Sequence, residues 1–111
     1  MSERDVAHRL FDFLDQHAFR PVLHAQPEHY PEAQREQLRI LQADTRARRQ
    51  RFHAPVSASD LYRSYHEMLG SAAERDLHAR LHALGLPALE DIRIDFEQMA
   101  SDLGIGTSGA L

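Results

Sequence analysis

Glu74, His78 and His82 follow one another at intervals of four. On a helix that spacing projects all three from neighbouring turns of one face, and two imidazoles so placed can chelate zinc or another divalent transition metal. Such a site needs a further ligand from elsewhere in the chain, and His66, Glu67, Asp91 and Asp95 qualify by residue type. The plainer reading is an exposed or hydrogen-bonded structural pair, because eight His in 111 residues make this spacing common by chance. The chain has no Glu followed three residues later by His, so the ligand pattern of a di-iron bundle is absent. His66-Glu67 likewise lacks the second His of a zinc-protease helix.

The second chemical feature is the stretch Asp44 to Phe52, "DTRARRQRF", which carries Arg46, Arg48, Arg49 and Arg51. Three readings compete: a solvated or internally paired face, a docking surface for an acidic protein partner, and a grip for a phosphate backbone. At 100° per residue Arg35, Arg39, Arg46 and Arg49 fall on one strip about 21 Å long, predicted to be exposed. Glu32 and Glu36 precede Arg35 and Arg39 by three residues and Asp44 precedes Arg48 by four, spacings at which opposite charges meet. Only the Arg46 to Arg51 end is left uncompensated, and arginines there also complement the negative end of the helix.

Charge is distributed unevenly along the chain. Residues 35–53 hold six Arg against two acids, a net +4, whereas residues 1–34 carry −3 and residues 54–111 carry −5. The whole chain is at −4 with a sequence pI near 6.0, which argues against nucleic acid as the partner, since that class draws its affinity from a basic domain. "LYRSYHEMLGSAAERDLHARL" also fails as a helix-turn-helix, because Leu77 and Leu81 come late for packing the second helix on the first. If all eight His charge as pH falls toward ~5, the formal charge moves from −4 to +4, a change that predicts pH-dependent association.

Other chemistries are excluded or unsupported. There is no Cys, so no thiol nucleophile, disulfide or thiolate metal site exists. "GIGTSG" at residues 104–109 matches a dinucleotide-loop spacing but follows a helix instead of joining a strand to one. No nucleophile elbow, phosphate loop or distinctive carboxylate pair is present, and no enzyme is assigned. All thirteen basic residues are Arg, with no Lys and no Asn, a bias that codon usage in a GC-rich genome explains.

These residues must be positioned by helices. Apolar residues recur at three and four throughout, which predicts an all-α fold. Ser2 with Asp5 caps a first helix carrying Val6, Leu10, Phe13, Leu14 and Ala18 on a face widened by Phe11, with an end near Phe19. Arg20 to Tyr30, with Pro21 and Pro27, reads as a connector without regular structure. A second long helix runs from Pro31 to about Phe52 on a thin seam of Leu38, Leu41, Thr45 and Phe52, with Ile40 and Ala47 to one side. Pro55 terminates the following turn, and Ser57 with Asp60 opens a third helix carrying Leu61, Tyr65, Met68 and Leu69 before Gly70. Ser71 with Glu74 reads as the clearest capping box, ahead of a core side of Ala73, Leu77, Leu81 and Leu84. After Gly85 and Pro87, the run Leu89, Ile92, Phe96, Met99 and Leu103 makes the last helix.

The resulting expectation is a compact bundle of about five helices, two longer followed by three shorter, as one domain over residues 1–104 with a flexible tail over 105–111. Tyr62, Tyr65 and Met68 read as core residues ahead of pocket-lining ones. No stretch approaches the ~20 apolar residues of a membrane span and the N-terminus is no secretory signal, so the expected setting is cytoplasmic. The leading expectation for function is an accessory or regulatory protein that acts by association, as a homodimer or with an acidic partner. The alternative is a metal- or small-ligand-binding helical protein using His78 and His82.

Overall fold

The Ser2 hydroxyl accepts from the Asp5 N–H at 3.1 Å while Asp5 returns its carboxylate to the Ser2 N–H, so the first helix opens with the capping box that its sequence predicts. The computed structural model describes residues 2–53 and 57–105. From the cap, α1 (Glu3–Leu14) buries Val6, Leu10, Phe11 and Leu14. It does not stop near Phe19. A π-helical turn (Asp15–Phe19) leads directly into α2 (Arg20–Leu23), giving one continuous helix of 21 residues. Pro21 has no N–H to donate, and in a regular helix its ring would press on the carbonyl four residues back. The turn just before it is wider by one residue, with the Arg20 N–H donating to the Asp15 carbonyl five back, and the helix survives the proline. The expected connector therefore shrinks, and it contains a short 3₁₀ helix (Pro27–His29).

α3 (Glu32–His53) is the other long helix, at 22 residues, and its expected seam of Leu38, Leu41, Thr45 and Phe52 is buried throughout. α4 (Ala58–Leu69) is capped by Ser57, whose hydroxyl accepts from the Asp60 N–H at 3.1 Å. α5 (Ala72–Ala83) follows, then a 3₁₀ turn (Leu89–Ile92) and α6 (Arg93–Asp102). The five helices are thus two longer and three shorter, with no strand among the described residues, and none is long and apolar enough to cross a membrane. Pro55 lies outside the described residues, as does the expected tail apart from Ile105. Ile105 is anchored: its N–H donates to the Ala100 carbonyl at 2.7 Å, past Gly104 in the left-handed conformation, and its side chain packs on the core.

Two apolar clusters lie along a molecule measuring 49 × 23 × 19 Å. The larger packs α1 against α4 and α6, with Leu10, Leu14, Phe19, Phe52, Leu61, Tyr65 and Phe96 at its centre. Tyr65 is fully buried against Phe96 and donates its hydroxyl to the Leu89 carbonyl at 2.7 Å, so Tyr65 is core, as its helical spacing predicts. The smaller cluster is aliphatic: Val22, Leu38, Leu41, Leu81, Leu84, Leu86 and Ala88. At 1.5 Å per residue α3 is about 33 Å long and contributes to both. Between them Gln42 is buried and caps the end of α2, donating to the Val22 and Ala25 carbonyls at 3.1 and 2.8 Å.

Candidate functional site

The spacing Leu38, Leu41, Thr45, Phe52 skips one turn, and Arg48 occupies the skipped position. Its side chain turns inward to α5, and the residue is 9% exposed. There it donates through Nη2 to Oε1 of Glu74, which is 5% exposed. The expected core side of α5 is corrected accordingly: Ala73 is exposed and Glu74 is buried, because Glu74 shares the phase of Leu77 and Leu81 and finds a cation opposite. The Ser71 capping box is half formed for the same reason. Ser71 Oγ accepts from the Glu74 N–H at 3.0 Å, but the Ser71 N–H donates to the Met68 carbonyl and the Glu74 carboxylate is committed to Arg48.

Burial pushes the Arg48 guanidinium down and the Glu74 carboxyl up, and their mutual attraction offsets only part of either effect. The pair therefore joins α3 to α5 at an electrostatic cost. Arg48 Nε and Thr45 Oγ1, both buried beside it, have no hydrogen-bond partner among the described residues. An open groove of ≈ 390 Å³ lies over the pair, lined in part by Ala47, Arg51, Met68, Leu77 and Arg80.

Arg49 turns to the other long helix. It donates through Nε to Asp15 Oδ1 at 2.6 Å and through Nη2 to Oδ2 at 3.5 Å, while its guanidinium sits 5.3 Å from the Phe11 ring centre. Arg20 Nε donates to the same carboxylate at 3.0 Å. Burial raises the Asp15 carboxyl, but Arg49 and Arg20 outweigh it and hold it below the usual carboxylate range. The strip predicted as exposed is thus partly folded inward. Arg49 is on Asp15, and Arg35 donates to the Tyr30 carbonyl at 3.1 Å, whereas Arg39 stays on the surface 3.7 Å from Glu36. Of the four arginines in "DTRARRQRF", Arg46 and Arg51 are exposed. The four do not share one face.

The histidines meet a different acid from the one their spacing suggests. Glu74, His78 and His82 lie on α5 as predicted, but Glu74 faces Arg48. Asp91, in the turn Leu89–Ile92, comes to His82 with Oδ2 at 2.7 Å from Nε2. His78, His82 and Asp91 each offer one ligand atom within 4.8 Å of the others. The two imidazole centres are 3.9 Å apart. The Asp91 carboxylate also accepts from the Ala88 N–H at 2.7 Å; burial raises this carboxyl, but Ala88 and His82 pull it lower overall. His66 sits instead on Tyr62 with Nε2 3.1 Å from Glu97, and neither it, Glu67 nor Asp95 joins the cluster.

Asp15 carries a faint sequence signal, since Phe11, Asp15 and Phe19 are spaced by four and all are buried. Asp91 carries none beyond its residue type, because its approach to α5 depends on the reversal through Gly85, which holds φ at 74°. No protein-family model, curated protein or solved structure matches the chain.

Proposed function

We propose that the protein is a small, non-enzymatic accessory or regulatory protein of the cytoplasm that acts by association, pairing with a second copy of itself through the outer face of α3. The observation that carries this reading is the exposed surface to one side of the buried seam. Ile40 is 44% exposed there, with the exposed Ala43 and Ala47 on the following turns. Small residues at that spacing let a second helix approach closely, and one large apolar side chain supplies area to bury.

The charges along that face favour an antiparallel partner. Exposed Glu32 and Glu36 lie at the N-terminal end of α3 and exposed Arg46 and Arg51 toward its C-terminal end. A two-fold axis near Ala43 would set each acidic end beside the basic end of the other copy, as an isologous interface requires. Arg48 and Arg49 are already engaged within the chain and are not needed for this contact.

Size-exclusion chromatography with light scattering tests the proposal. A dimer is expected, and Ile40→Asp should convert it to a monomer without loss of helix content. Arg46→Glu with Arg51→Glu should weaken self-pairing, and mixing that variant with Glu32→Arg, Glu36→Arg should restore a heterodimer. A wild-type chain that remains monomeric at high concentration ends the dimer reading, and then an acidic protein is the occupant left for Arg46 and Arg51.

A further inference from the structure

We propose that His78, His82 and Asp91 bind one zinc-like divalent ion that clasps the last turns of α5 to the turn Leu89–Ile92. The inference does not rest on the dimer. Two imidazoles and one carboxylate are a donor set suited to zinc, cobalt or nickel, whereas calcium and magnesium sites are built from oxygen alone. The set differs from the one read along α5, since Glu74 is replaced by an acid from beyond the Gly85 reversal.

Three observations support a site over a chance meeting. The three ligand atoms lie within 4.8 Å, and a tetrahedral ion with bonds of about 2.1 Å needs them about 3.4 Å apart, a difference that rotation of the exposed His82 and Asp91 side chains covers. The Ala88 N–H donates to Asp91 Oδ2 at 2.7 Å and so holds the carboxylate toward α5, as an outer-sphere partner does for a ligand. His78 Nδ1 is buried without a hydrogen-bond partner among the described residues, 3.8 Å from Glu90 Oε2, so Glu90 or a water is at hand for a fourth position.

His82 Nε2 and Asp91 Oδ2 share a hydrogen at 2.7 Å. An entering ion takes the place of that hydrogen at Nε2: in the neutral imidazole it moves to Nδ1, and in the imidazolium one proton leaves to solvent, so binding weakens as pH falls. The clasp links Leu81 and Leu84 of the smaller cluster to Leu89 of the larger one, so it should stiffen the junction between them.

The test is calorimetric titration of Zn²⁺, and optical titration of Co²⁺, into protein purified without a His tag. One ion per chain is expected, with the visible absorption of tetrahedral Co²⁺ and a higher melting temperature with metal. Asp91→Asn and His78→Gln should each weaken binding about tenfold or more while circular dichroism shows the helices intact. His8→Ala and His29→Ala should leave it unchanged. Absence of saturable binding overturns the proposal, and so does binding of equal strength in Asp91→Asn and His78→Gln, which would assign the ions to scattered surface histidines.

Discussion

Arg48 and Arg49 are adjacent in sequence, pair with carboxylates of comparable burial, and experience opposite electrostatics. Arg48 lies 9% exposed on Glu74, where burial wins and both groups are pushed toward neutrality. Arg49 keeps its edge in water over Asp15, which accepts from a second cation, Arg20, and is held firmly ionised. Contact between opposite charges therefore does not by itself decide whether an ion pair stabilises. What decides is how many donors reach the carboxylate and whether the cation retains solvent.

Removing one partner of the dry pair should have the largest effect. Glu74→Ala leaves Arg48 buried and unpaired, at a cost of about 3–5 kcal/mol in unfolding free energy measured by urea denaturation. Arg48→Met with Glu74→Leu removes both charges and fills the space, and should come within about 1 kcal/mol of wild type or exceed it. A double variant as weak as Glu74→Ala would reverse the ranking of the two pairs. Glu74→Gln keeps an acceptor for Arg48 and should cost clearly less than Glu74→Ala.

Asp15→Ala comes next, at about 1.5–3 kcal/mol, because the arginines it releases can turn to water. The pH dependence sharpens the contrast further. The folded carboxyl of Asp15 lies below its unfolded value of ~3.9, so its contribution is fully present above that value and is lost as pH falls through the folded one. The stability gap between wild type and Asp15→Asn should therefore be steady from neutral pH down to about 5 and close in stronger acid. Glu74 has the opposite sign. Its folded carboxyl is raised, so ionisation works against the fold above that value and protonation relieves it as pH falls toward ~4.3. Its smaller effect should appear as a shallow gain in wild type relative to Glu74→Gln over that window, read from denaturation midpoints.

Much of this arrangement is legible along the chain. Ser2, Ser57 and Ser71 mark three helix starts because a hydroxyl three residues before a free N–H is a local bond that any context preserves. Arg48 is legible in retrospect, since the spacing three, four, three, four through Leu38, Leu41, Thr45 and Phe52 leaves only its position unfilled. The continuation of the first helix past Pro21 is less so. Proline rules describe a regular helix, and a turn widened by one residue at Asp15–Phe19 is a way around them that periodicity does not reveal.

Helix number, order and most apolar positions, the core side of α5 excepted, were determined by sequence alone, because periodicity and capping act over three or four residues and need no partner. The tertiary structure decided which charges were spent inside and which remained outside. Glu74 could cap its own helix or meet Arg48, and Asp91 could face solvent or His82. Those choices turn on whether a distant segment delivers the opposite group within about 3 Å, a distance set by how helices cross and reverse.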